Sequence, residues 1–214
     1  MARAFLLLGA ALLLSLTTFV LTGSRAQAAP IGPACGTCQG SIYEISYDGA
    51  PIASTATTET WRITYTIDTS GYAGGGTRLD TVALKVSAQL VDADLVAAPG
   101  GVALWNEFLG GLNANGCGGA GGGFDCVEAT SVGVSPVVPG GVYTWVFDLE
   151  MATGVLATGT DEASIKARYV NEAGVKVGDL VSENVTLTLV PEPSTLLLLA
   201  AGIAGLAPRR RARA

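Results

Sequence analysis

Histidine is missing from all 214 residues of this chain. Without it no Ser-His-Asp or Cys-His hydrolase can be assembled, and no His-ligated metal centre either. Charge is scarce too: Asp, Glu, Lys and Arg together make up 14 % of the sequence, less than a helical protein laced with surface ion pairs carries. No stretch keeps a long 3.6-residue apolar period, so no amphipathic helix is available to cover a sheet. The glycines at 118–123 are not followed by Lys-Ser/Thr and a helix, which excludes a phosphate-cradling P-loop. Basic residues are few outside the two ends. From Ala29 to Val190, three Lys and three Arg stand against seventeen acids, a net charge of −11. A body this acidic repels phosphates, so nucleic acid is excluded as a partner.

The two ends carry targeting features. Met1–Ala28 reads as a secretory signal peptide: Arg3 supplies the positive start, Ala4 to Leu21 is almost wholly apolar, and Ala26-Gln27-Ala28 is a small-x-small cleavage site. Cleavage after Ala28 puts the mature start at Ala29. An uncleaved anchor is the alternative, because the apolar run is long for a leader, about 18 residues. The secretion translocon is implied as a partner in both cases. Export also places the four cysteines in an oxidising compartment, where two disulfides are the simplest outcome. Of three pairings, Cys117 with Cys126 is favoured, since glycines between them let a short loop close; Cys35 is left for Cys38. A redox Cys-x-x-Cys and a four-Cys zinc site are the alternatives. The first wants a helix N-terminus and the second wants two closely spaced pairs.

Between the ends the pattern is β. Ile42 to Tyr47 is rich in β formers, and Thr60 to Asp68 alternates cleanly, with Trp61, Ile63, Tyr65 and Ile67 on one face. Leu79 to Leu90 reads as one strand ended by Asp92-Ala93-Asp94. Val102 to Leu109 fits a strand or a short helix. Asn113 to Cys126 reads as a disulfide-held flexible loop, and Val127 to Val134 as a short strand. Val142 to Met151 alternates again, placing Tyr143, Trp145, Phe147 and Leu149 inward. Ser164 to Val170 and Val175 to Leu180 flank a hairpin-like turn at Asn171-Glu172-Ala173-Gly174, and Asn184 to Val190 is the last strand. About eight short strands, each with one apolar face, predict an all-β antiparallel β-sandwich of immunoglobulin-like or jelly-roll type over 29–189.

Candidate chemistry within that body is sparse. Asp92 with Asp94, Asp148 with Glu150, and Asp161 with Glu162 are carboxylate pairs of the kind a glycosidase uses. On an amphipathic strand Asp148 and Glu150 are also simply the solvated face. Asp92 and Asp94, read as a loop, are calcium candidates; no other cofactor is expected. Trp61 and Trp145 fall on apolar strand faces. Trp105, beside Asn106 and Glu107, is the candidate for stacking on a sugar ring.

The C-terminal end is the most specific stretch. Val190-Pro191-Glu192-Pro193-Ser194-Thr195 leads into the apolar run Leu196 to Ala207 and then Arg209, Arg210, Arg211 and Arg213. A polar hinge, a greasy segment and a basic cluster follow in that order, and the arginines would stay cytoplasmic and orient the rest outward. The segment resembles the PEP-CTERM sorting signal over about 25 residues, 190–214. That resemblance implies export in a Gram-negative bacterium and processing by the membrane enzyme exosortase, with Pro191, Glu192 and Pro193 as the sorting motif. It also implies an association with exopolysaccharide and biofilm. The apolar run is about 12 residues, roughly 18 Å as a helix against a hydrocarbon core of about 30 Å. Such a short helix suits a transient inner-membrane anchor better than a permanent one. The expectation is a non-enzymatic exported protein of the cell surface or extracellular matrix. The alternative is a carbohydrate-active protein, either a lectin-like module or a glycosidase.

Overall fold

The computed structural model describes residues 25–131, 135–156 and 160–190. Most of the expected signal peptide, with its expected helix, lies outside the described residues. So do Pro191–Pro193, the apolar helix expected at 196–207 and the four arginines 209, 210, 211 and 213. Among the described residues no helix is long and apolar enough to cross a membrane. One compact unit spans Arg25–Val190.

Its strands are β1 (Arg25–Ala28), β2 (Ile42–Asp48), β3 (Ala53–Ser54), β4 (Thr58–Asp68), β5 (Arg78–Lys85), β6 (Leu90–Ala97) and β7 (Trp105–Leu109). They continue as β8 (Gly111–Asn113), β9 (Gly116–Gly119), β10 (Phe124–Ala129), β11 (Val142–Ala152), β12 (Thr160–Val170) and β13 (Val181–Val190). Hydrogen bonding joins most of them in the order β6-β11-β4-β2-β1-β13-β12-β5-β10-β7, with β3 beside β4. All the pairings are antiparallel. The sheet folds over on itself as a sandwich, β6-β11-β4-β2 facing β13-β12-β5-β10-β7. Trp105 of β7 meets Trp145 of β11 edge-on at 5.5 Å between ring centres, and the Tyr43 hydroxyl of β2 lies 3.3 Å from that of Tyr169 on β12.

Period-2 alternation builds this core. Trp61, Ile63, Tyr65 and Ile67 of β4 are buried, and so are Trp145, Phe147, Leu149 and Met151 of β11. Register sets Tyr65 opposite Trp145, Ile63 opposite Phe147 and Trp61 opposite Leu149, so large side chains pair across the ladder. Residues on the other face, such as Arg62 and Asp148, point to solvent.

Several sequence expectations change in detail. The single strand expected over Leu79–Leu90 is two, because the chain turns at 86–89 and Leu90–Ala97 crosses to the edge of the other layer. Asp92 and Asp94 therefore lie inside β6 and not in a loop. Val102–Leu109 resolves into one 3-10 turn at Val102–Leu104 followed by β7. The turn at Asn171–Gly174 forms, with the Gly174 amide donating to the Asn171 carbonyl at 2.9 Å. Val175–Leu180, however, makes only an isolated bridge at Lys176, and β12 pairs with β13 and β5. The loop expected at Asn113–Cys126 is ordered: β8 and β9 form a hairpin packed on the outer face of β5 and β10. It covers a second apolar cluster of Ala83, Leu112, Phe124 and Cys126. That cover explains why β5 is buried on both faces from Leu79 to Leu84 and breaks alternation.

The strand β1 is formed by the end of the expected leader. Arg25–Ala28 pairs with β2 on one side and β13 on the other. The expected cleavage point after Ala28 thus falls at the end of a strand held between two others.

Candidate functional sites

Both disulfides form as favoured. Cys35–Cys38 and Cys117–Cys126 have Cα separations of 5.2 Å and 5.7 Å. The four-Cys zinc alternative is overturned, because the pairs lie in different clusters, Cys38 in the main core and Cys126 in the outer one. The sulfurs of Cys35 and Cys38 sit near the Glu183 carboxylate. Their mutual bond ties up both, and Glu183 accepts the Thr37 hydroxyl at 2.6 Å.

Trp105 is not a stacking platform. It is 6 % exposed, its indole N–H donates to the Pro99 carbonyl at 2.9 Å, and its ring packs against Trp145. The polar neighbours Asn106 and Glu107 concealed this in the sequence; β7 turns Trp105 inward. Trp61 and Trp145 are buried as their strand faces required.

The three carboxylate pairs separate. Asp148 takes a two-pronged ion pair from Arg62 at 2.8 Å and 2.7 Å, on the solvent face of β4 and β11. Asp92 and Asp94 lie on the outer face of β6, in register with Glu150 and Asp148. Both are exposed, and Asp92 accepts the Ala93 amide at 2.9 Å. Glu162 accepts the Ala88 amide at 3.3 Å; the Asp161 side chain is outside the described residues.

Two buried charge clusters were not anticipated. The first lies under the β8–β9 hairpin. Arg168 of β12 forks onto Asp80 of β5 at 3.0 Å and 2.6 Å and also reaches Glu128 of β10 at 3.1 Å. Glu128 in turn accepts the Cys117 amide at 3.1 Å, and Arg168 donates to the Ala114 carbonyl at 3.4 Å. This network bolts the hairpin to the sheet, and the Cys117–Cys126 bond fastens the same point. The only signal in the sequence is an Asp and an Arg inside apolar runs, at Leu79-Asp80-Thr81-Val82 and Ala167-Arg168-Tyr169.

The second cluster is on the inner face. β7 and β10 run antiparallel with Glu107 opposite Val127, so Asp125, two residues along, is a diagonal neighbour on the same face. Asp125 is fully buried, and among the described residues neither its oxygens nor Glu107 Oε1 has a well-formed hydrogen bond; what approaches Asp125 is the Glu107 carboxyl and the Cys126 amide. Glu107 Oε2 accepts the Leu95 amide of β6 at 2.9 Å. Burial first, and then the facing Glu107 carboxylate, push Asp125 up to about 8. Burial raises Glu107 as well, against the lowering effect of the Leu95 amide. Phe124-Asp125-Cys126-Val127 shows no clean alternation, which hid the inward turn of Asp125.

The body ends at β13. Val190 is its last residue, and Pro191 follows with no backbone N–H to continue a ladder. The family profile of the PEP-CTERM protein-sorting motif matches residues 189–211. No curated protein and no solved structure matches the chain at a significant level.

Proposed function

We propose that this chain, which carries a PEP-CTERM protein-sorting motif at 189–211, is a non-enzymatic protein of the cell surface or extracellular matrix. The motif marks the chain for sorting to the exterior and implies processing by exosortase, a membrane enzyme. The observation that carries the reading is the junction: the compact unit closes at Val190 and the matched segment begins at 189. A cut near Pro191–Pro193 would therefore release or transfer the sandwich with its last strand intact. The short apolar run at 196–207 would act as a transient inner-membrane anchor, oriented by Arg209, Arg210, Arg211 and Arg213. Delivery through the secretion translocon and association with extracellular polysaccharide in a Gram-negative bacterium belong to the same proposal.

The non-enzymatic part is supported by where the candidate groups lie. All three tryptophans are in the core, and Asp148 is neutralised by Arg62. What remains is a two-disulfide module suited to persist outside the cell.

Mass spectrometry of the native protein tests the sorting step. A C-terminus trimmed near Pro191–Pro193 is the expected result; a mature chain that keeps Arg213 overturns the transient anchor. Deleting the chain is expected to weaken surface attachment or matrix cohesion. A glycan-binding and hydrolysis screen of the protein addresses the carbohydrate-active reading, and turnover of any glycan would end the non-enzymatic one.

A further inference from the structure

Strands β6 and β7 are the two ends of the folded sheet, and among the described residues no ladder joins them. The Leu95 amide of β6 donates across the seam to Glu107 of β7 at 2.9 Å. Behind that contact sits Asp125, fully buried, and among the described residues no group other than the Glu107 carboxyl and the adjacent Cys126 amide approaches its oxygens. We propose that Glu107 and Asp125 form a binding site for one hard divalent cation, calcium by donor chemistry, which closes the seam between β6 and β7.

The charge count supports a cation. Two facing carboxyls either share one proton, as the raised Asp125 value describes, or stay ionised together around a cation. The fold sends its own cations elsewhere. Among the six basic residues from Ala29 to Val190, Arg62 is on Asp148, Arg168 on Asp80 and Glu128, and Arg78 on the Ser135 carbonyl. Lys85 and Lys166 lie over the outward Phe124 ring, and Lys176 donates to the Gly178 carbonyl. Asp80, equally buried, was given Arg168; Asp125 was given a second acid. A divalent ion balances the charge of the pair.

Donor chemistry selects the ion. The site offers carboxylate oxygens, histidine is absent, and all four cysteines are bonded, so thiophilic and imidazole-seeking metals have no ligands here. Calcium accepts irregular oxygen shells completed by water and backbone carbonyls, whereas magnesium demands a near-ideal octahedron. The Leu95 amide points at β7, so by strand alternation the carbonyls of Ala93 and Leu95 lie along the same open edge of β6. Glu107 is half-buried and marks the way in. Asp92 and Asp94, on the outer face of β6, are close enough to act electrostatically on the pair and would concentrate cations at the seam.

The test uses the full chain in detergent micelles, stripped with EDTA and titrated with calcium chloride. One equivalent of calcium is expected to bind and to raise the unfolding temperature. Asp125→Asn and Glu107→Gln are each expected to weaken binding by about tenfold or more, because affinity follows ligand charge. The outer-face double variant Asp92→Asn/Asp94→Asn keeps the site. The proposal is overturned by absence of binding to the wild type, by unchanged binding in Asp125→Asn, or by loss confined to the outer-face variant. A second measurement guards against a variant that fails to fold. Calcium is expected to raise the unfolding temperature of the wild type and to leave that of a folded Asp125→Asn chain unchanged. An equal response in both means the pair holds a shared proton only, and the cation site falls.

Discussion

Asp125 and Arg168 illustrate opposite solutions to burying charge in this sandwich. The folded chain holds the Asp125 proton up to about 8, against the ordinary 3.8. A folded value above the unfolded one means that folding takes up a proton. The contribution is full below pH 3.8 and is lost as pH climbs through the window to about 8. Glu107 and Asp92, the charged groups acting on it, are both acidic and reinforce that direction. Urea unfolding in EDTA is expected to show this decline in the wild type and a flatter profile in Asp125→Asn. Arg168 presents the opposite case, since it answers two acids. Arg168→Met would leave Asp80 buried without a counter-charge and is expected to cost about 3–5 kcal/mol by chemical denaturation. Trp105→Ala should cost about 3–5 kcal/mol through the cavity left against Trp145, without altering any glycan binding. A single residue's side of the sheet could be read where alternation was clean, as for Trp61 and Trp145. It could not be read for Trp105 or Asp125, whose flanks mix apolar and polar types.

The hairpin β8–β9 is the element on which the outer face depends. Its strands have three and four residues, too few to persist alone, so the Cys117–Cys126 bond and the Arg168 network hold it. The double variant Cys117→Ser/Cys126→Ser is expected to lose about 2–3 kcal/mol. Faster amide exchange over 111–119 should accompany that loss and check it by hydrogen-exchange mass spectrometry. Glycine permits the fit at Gly116, where φ is +117° and an added Cβ would strike the Glu128 carboxylate. In the sequence this segment reads as flexible because glycine says what a backbone can do and not what it packs against. β4 and β11 were legible for the converse reason. Each is half-buried, and a half-buried strand writes its two faces into alternate residues. β5 is covered on both sides and merges, in the sequence, with the start of β6.

For the whole molecule, the expected leader cleavage bears directly on the sheet, because Arg25–Ala28 is one of its strands. Cleavage after Ala28 would remove β1 and leave β2 and β13 facing each other across a strand's width, since Ala26 pairs with Tyr47 and Ala28 with Leu187. A chain starting at Ala29 is expected to exchange the amides of β2 and β13 faster than one starting at Arg25. N-terminal sequencing of the exported protein reports which form is present. The C-terminal side has no such conflict, because β13 ends at Val190 and the sorting motif follows it.

The sequence by itself determined the destination and the class. The PEP-CTERM motif, the closely spaced cysteines and the period-2 strands are local patterns, each written in a short stretch of residues. Tertiary structure decided what those residues face. Only the sheet order brings the ends β6 and β7 together and turns Glu107 onto Asp125. It also slides Arg168 beneath a hairpin about fifty residues earlier in the chain and buries Trp105, the candidate for stacking on a sugar ring. Burial depends on what lies across the layer, and strand spacing along the chain carries no record of which strand that is.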